Sequence, residues 1–210
     1  MGFGVVCISR QDGAGGAEAS RVVAEQLGLR LIDEDILARA AIEAGVEQDV
    51  VADAERRKSV LHKLLEGLGP ATAGTGGMLV VPEDAGYGRE SSRELRGLIK
   101  SAIEETATEG RVVIVAHAAS LALAGRADVL RVFITASPAT RQRRVAASLQ
   151  TDEKEAARVL KRSDAARADY IKRFYAIDAE LPTHYDLVIN TDTLTPPDAA
   201  RLIVAAMNEA

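Results

Sequence analysis

Five short runs of aliphatic and β-branched residues, at 5–8, 29–32, 112–115, 130–135 and 187–190, are separated by much longer stretches with helical periodicity. The first and third, VVCI and VVIV, have no polar residue at all. A strand of that kind has to be buried on both faces. Parallel strands also need long crossovers, which the helical stretches at about 17–27, 34–66, 88–108, 138–150, 153–176 and 196–208 can supply. The spacing therefore predicts an α/β fold, a parallel sheet with helices on both faces. In such sheets ligands bind beyond the carboxyl ends of the strands.

The first run leads into a glycine cluster. Gly13, Ala14, Gly15, Gly16 and Ala17 stand between the strand and a helical pattern that carries Val22, Val23 and Leu27 and stops at Gly28. A helix N-terminus offers free N–H groups and a partial positive charge. Glycines let the backbone wrap an anion closely. The segment is thus either a phosphate nest that needs no side chain or a tight strand-to-helix turn. It does not meet the pattern G-x-x-x-x-G-K-[ST]: Arg10 stands at the first glycine, Gly16 at the lysine and Ala17 at the hydroxyl residue.

Composition narrows the alternatives. Hydrophobic residues make up 47% of the 210, enough for a substantial core, while aromatics are only 3%, so that core is built from Ala, Val, Leu and Ile. A net charge of −5 argues against binding a nucleic acid polymer. One cysteine, Cys7, allows neither a disulfide framework nor a zinc site. No stretch approaches the ~20 apolar residues of a membrane span, and no secretory signal is recognisable, so a cytoplasmic protein without a membrane partner is expected. Residues 67–88, rich in Gly, Ala, Thr and Pro, interrupt the alternation of strand and helix as a linker or loop.

Taken together, several segments resemble the cytidylate kinase-like family, a branch of the P-loop nucleoside monophosphate kinases. ISRQDGAGG is similar to the family's opening, which commonly reads Ser-Arg-Glu, a spacer, then Gly-Ser-Gly-Gly-Arg. AEQLGLRLIDEDIL, VVIVAHAASLAL, VLRVFITASPATRQRRV, SDAARADYIKRFY and YDLVINTDTL follow in the order of its later elements. The resemblance implies a P-loop kinase fold over 1–210, with a helical monophosphate-binding insertion at about 36–105 and a lid at about 141–176. It implies phosphoryl transfer from ATP, with Mg2+, to a nucleotide such as CMP or dCMP, a chemistry that is mainly positioning and charge neutralisation. The partners it implies are nucleotide substrates; it names no protein partner.

The same resemblance assigns residues. Gly13, Ala14, Gly15, Gly16 and Ala17 would cradle the ATP phosphates. Arg141, Arg144, Arg162 and Arg167 would neutralise charge during transfer, for which arginine's planar fork is suited. Asp164 and Arg167, three residues apart on one helix face, can pair, and Tyr170 continues the stripe as a stacking or hydrogen-bonding group; the resemblance to the family's lid makes Asp164 and Tyr170 substrate-binding residues, with an ordinary surface ion pair as the alternative. Asp33 matches the family's acidic residue after the second strand, where it can orient substrate, hold a metal-bound water or cap the next helix. His117 occupies the place of the family's substrate-phosphate arginine, and a hydrogen-bonding structural role is its alternative. Asn190, Thr191 and Asp192 either form a turn or lie on the adenine side.

Three departures matter. Gly16 lacks the lysine, Ala17 lacks the family's usual arginine, and Ala116-His117-Ala118 replaces a Gly-Arg pair. The sequence therefore predicts phosphate binding with weak transfer. A non-catalytic nucleotide-binding or partner-binding scaffold, or a kinase for another small acceptor, are the competing readings.

Overall fold

The computed structural model describes residues 2–33, 89–116 and 118–209. His117, the acidic pair Glu34 and Asp35, the helix expected over 34–66 and the 67–88 segment lie outside the described residues. The elements are β1 (Val5–Arg10), α1 (Gly16–Leu27), β2 (Arg30–Asp33), α2 (Arg89–Glu109), β3 (Val112–Val115), α3 (Ala119–Ala122), β4 (Val129–Thr135), α4 (Pro138–Leu149), α5 (Glu153–Tyr175), a 3-10 turn (Pro182–His184), β5 (Leu187–Asn190) and α6 (Pro196–Glu209).

All strand pairs are parallel, in the order β2-β3-β1-β4-β5, with β1 at the centre. The chain thus has the α/β architecture expected from its apolar runs. Alternation along β1 divides the core in two. Val5 and Cys7 pack with Ala102, Ile103 and Ala107 of α2 and with Ala119 of α3. Val6 and Ile8 face the other side, against Ala19 and Val23 of α1 and Ala199 and Ile203 of α6. Residues 89–105, the described part of the expected insertion, therefore lie in a helix that covers the sheet. Among the described residues no helix is long and apolar enough to cross a membrane.

Two differences from the sequence reading have local causes. β1 runs two residues past Ile8, because Ser9 and Arg10 pair with Phe133 and Ile134 of β4. Ser9 tolerates complete burial since its hydroxyl meets Ser120 Oγ at 3.0 Å and donates to the Ala116 carbonyl at 3.4 Å. The four-residue α3 is too short for periodicity to reveal.

Several helix ends follow ordinary capping chemistry. Ser137 and Asp152 accept N–H bonds from Thr140 and Glu155 at the starts of α4 and α5. Gly28 closes α1 in the left-handed conformation. The N-cap of α1, in contrast, is Gly15, with no side-chain cap bond. That uncapped end faces the carboxyl edge of the sheet, directly after its central strand.

Candidate phosphate-binding site

The loop from Arg10 to Gly16 is held by its carbonyls. The Arg10 carbonyl accepts from Arg167 Nη1 at 3.3 Å, and the Gln11 carbonyl from the Ala14 N–H at 3.1 Å. The Asp12 carbonyl accepts from Arg141 Nε at 2.6 Å and the Gly13 carbonyl from Arg144 Nη1 at 3.4 Å. The Ala14 carbonyl accepts from Thr191 Oγ1 at 2.8 Å. The carbonyls of Gly15 and Gly16 are taken up inside the first turn of α1 by the Ala19 N–H and Ser20 Oγ, at 3.1 and 2.6 Å.

The amides behave differently. Among the described residues, none accepts a hydrogen bond from the N–H groups of Gly13, Gly15, Gly16 or Ala17. Gly13 and Gly15 take φ of 76° and 77°. Backbone donors left over at a helix N-terminus, with left-handed glycines among them, are the geometry of an anion nest. Gly13, Ala14, Gly15, Gly16 and Ala17, grouped from sequence, are thus gathered in one loop with its acceptors turned outward.

Packing explains why three of these positions are glycine. A Cβ on Gly13 would lie 2.7 Å from the Arg141 carbonyl oxygen, and one on Gly15 would lie 2.7 Å from Pro196 Cγ at the start of α6. A Cβ on Gly16 would fall 2.6 Å from Arg10 Cβ and 2.9 Å from Arg10 Cδ.

The expected arginines take distinct places. Arg141 and Arg167 are buried, 3% and 5% exposed, and each has its guanidinium fork filled by a carboxylate. Arg141 grips Asp164 through Nη1 and Nη2 at 3.0 and 2.7 Å. Arg167 binds Glu180 through Nε at 3.0 Å and through Nη2, and its guanidinium carbon stands 5.4 Å from the Phe133 ring centre. Tyr185 stacks on Phe133 and donates its hydroxyl to the same Glu180. Asp164 therefore does not pair with Arg167, although helical spacing allows it. Arg141, reaching from α4, offers Asp164 a bidentate partner, and Glu180, in the chain after α5, does the same for Arg167.

Arg144 is tied to the loop and to Thr191, at 3.0 Å to Oγ1 and 2.7 Å to the carbonyl. Arg162 is not brought to the loop: its side chain is 74% exposed and stands 3.7 Å from Glu155. Tyr170 joins an aromatic cluster with Phe174 and Tyr175, ring centres 4.9 and 6.4 Å away, beside Ile171 and Leu121. Asp33 ends β2 opposite Val115, on the same sheet edge as the loop.

After β5 the structure shows a turn with a structural purpose. Asp192 accepts the Ser137 N–H at 2.9 Å, and this bond, followed by those from Thr140 and Ser137 hydroxyls, holds its carboxyl below the usual range. Thr191, fully buried, braces the glycine loop.

Sequence reasoning overlooked Arg10, Asp12, Ser163 and Glu180. Arg10 Nη1 meets Asp12 Oδ1 at 3.2 Å, and Ser163 of α5 donates to Asp12 Oδ2. A small cavity of about 150 Å³ adjoins the loop, between Gln11 and the Asp164, Arg167 and Ile171 side of α5. Only for Arg10 was a signal present, as a charged residue where the loop pattern has its first glycine. Asp12 and Ser163 meet across 151 positions of chain, which no local pattern encodes.

Comparison with known proteins bears on the family and the fold. The family model described as the cytidylate kinase-like family matches residues 5–193. A cytidylate kinase from Pyrobaculum arsenaticum is 34% identical over 116 residues, 55% of this chain and 62% of the relative, so the match spans less than two thirds of that protein. The crystal structure of an uncharacterized protein from Eubacterium ventriosum has a TM-score of 0.69 at 18% identity, covering 98% of this chain and 99% of the other, a likeness of fold.

Proposed function

The chain belongs to the cytidylate kinase-like family, and from that premise we propose that it transfers a phosphoryl group from ATP to a nucleoside monophosphate, with CMP or dCMP as acceptor. The observation that carries this reading is the set of N–H groups at Gly13, Gly15, Gly16 and Ala17 with no acceptor in the described protein, at the uncapped start of α1. A kinase of this kind works by holding phosphates still and neutralising them. The backbone nest would hold the donor phosphates.

Mg2+ would supply positive charge at the donor phosphates, with Asp12 the loop residue able to hold one of its waters. It commonly keeps most of its waters and needs few protein ligands. That fits a loop whose own carboxylate is Asp12, with Asp164 and Glu180 lining the adjoining cavity. The residues at 36–105 would hold the acceptor, and those at 141–176 would form the lid. Within that lid Arg141 and Arg167 already touch the loop through its carbonyls. Asp33 and His117 would face the acceptor, while Asp164 and Tyr170 would act within the lid. Arg162 would join the site only if α5 moved.

A second reading, binding without turnover, draws on a specific observation: the forks of Arg141 and Arg167 are filled by Asp164 and Glu180. An ADP-release assay across CMP, dCMP, UMP, AMP and non-nucleotide acceptors, run beside calorimetry with ATP, separates the possibilities. Turnover with CMP or dCMP is expected. ATP binding with no turnover on any acceptor would establish the scaffold reading instead, and turnover confined to another acceptor would reassign the substrate.

A further inference from the structure

The loop lacks a lysine because Gly16 stands in its place, yet the space of that missing side chain is filled. The first three carbons of the Arg10 side chain lie within 3.3 Å of where a Cβ on Gly16 would be: Cβ at 2.6 Å, Cδ at 2.9 Å and Cγ at 3.3 Å. The Arg10 stem thus crosses the first residue of α1 at the base of the nest. Its guanidinium continues to Asp12, 3.2 Å away, inside the same loop, and the side chain is only 12% exposed.

We propose that Arg10 is a phosphate-binding residue, supplying from the end of β1 the positive charge that a lysine at position 16 would supply from α1. The assignment rests on the phosphate-site reading given above. Two features of the geometry support it. Position 16 has to be glycine for the arginine to pass, so the two residues form one exchangeable unit rather than two independent departures. Asp12, moreover, places a carboxylate in a loop whose amides suit an anion, and an anion there would meet repulsion unless a cation stood between. Arg10 is held against Asp12, and Ser163 donates to the second Asp12 oxygen. A guanidinium can serve a carboxylate and a phosphate together, because its five N–H donors spread over two edges.

The test is calorimetric titration of the whole chain with ATP and with inorganic tripolyphosphate, at two salt concentrations. The set is wild type, Arg10→Met, Arg10→Lys, Gly16→Lys and the double exchange Arg10→Gly with Gly16→Lys. Arg10→Met, which keeps the stem and removes the charge, is expected to weaken both ligands by about 10- to 100-fold and to flatten the salt dependence. Arg10→Lys should retain most of the affinity. Gly16→Lys alone should lower the urea midpoint, because its Cβ lands on the Arg10 stem, and the double exchange should restore both folding and binding.

Wild-type affinity for tripolyphosphate in a folded Arg10→Met protein would overturn the assignment while leaving the loop as a phosphate site. If Arg10→Met does not fold, a folded double exchange that fails to bind would overturn it equally. Failure of wild type to bind either ligand would remove the phosphate-site reading itself.

Discussion

Gly13→Ala isolates what the loop's close packing is worth. The new methyl would sit 2.7 Å from the Arg141 carbonyl oxygen and 3.0 Å from Arg141 Cα, both backbone atoms of α4 that cannot rotate away. Holding a non-glycine residue at φ 76° costs about 1–2 kcal/mol. Overpacking adds about 1–3 kcal/mol. The unfolded chain loses some freedom on gaining a side chain, which returns about 0.4–1 kcal/mol. The net loss is then roughly 1–4.5 kcal/mol. Gly28→Ala provides the control: it too has positive φ, 59°, but a Cβ there meets nothing within 4 Å. Its net loss should be only about 0–1.5 kcal/mol. Urea unfolding followed by far-ultraviolet circular dichroism measures both. Gly13→Ala should lose about 1–3 kcal/mol more than Gly28→Ala, with an unchanged slope against denaturant. Equal losses at the two positions would refute the claim that α4 is seated directly against the loop.

Other perturbations test other contacts. Asp164→Ala strands the buried Arg141 guanidinium and should destabilise the chain by about 2–4 kcal/mol, less than a fully buried pair because Asp164 is 42% exposed; a loss below that of Arg162→Ala would contradict it. Arg162→Ala, acting on an exposed side chain, should cost at most about 0.5 kcal/mol in urea unfolding, and a steep fall in turnover with stability intact would mean that α5 brings it to the ligand. Asp186 is held below the usual carboxylate range, chiefly by its bond from Arg131. Its contribution should be complete above the unfolded value near 3.8 and disappear as pH falls through the lower folded value. The stability gap between wild type and Asp186→Asn should therefore be constant at neutral pH and close only in strong acid. Burial pushes the Cys7 thiol up to about 12, so alkylation at pH 8 should proceed at the rate of unfolding, and rapid labelling of the folded chain would be inconsistent with its place in β1.

The sheet was legible because its signal is local. The five strands among the described residues coincide with apolar runs, and the one clear extension, Ser9 and Arg10 of β1, follows from a hydroxyl network assembled by residues more than 100 positions away. The glycine loop was legible for the same reason: strand, glycines and helix are contiguous. The partnerships around it were not. Helical spacing makes Asp164 and Arg167 neighbours, but spacing says nothing about a guanidinium arriving from α4 or a carboxylate waiting beyond α5. In each case the longer-range partner offers two parallel hydrogen bonds to a buried or half-buried group, which outweighs a single-helix ion pair. Arg10 shows the converse difficulty, since its identity is plain in the sequence and its relation to Gly16 appears only when both backbones are in place.

The carbonyl anchors around the glycine loop carry a thermodynamic consequence. The loop grows from the middle strand of the sheet, and α4, α5 and the residue after β5 each hold one or more of its oxygens. Releasing the loop means breaking its bonds to each of those elements, so its opening is coupled to theirs. A ligand seated there binds the folded loop and not the unfolded chain. At a concentration 100 times its dissociation constant it would raise the unfolding free energy of the whole molecule by about 2.7 kcal/mol. Resistance to proteolysis throughout the sheet would then report occupancy of a loop only a few residues long.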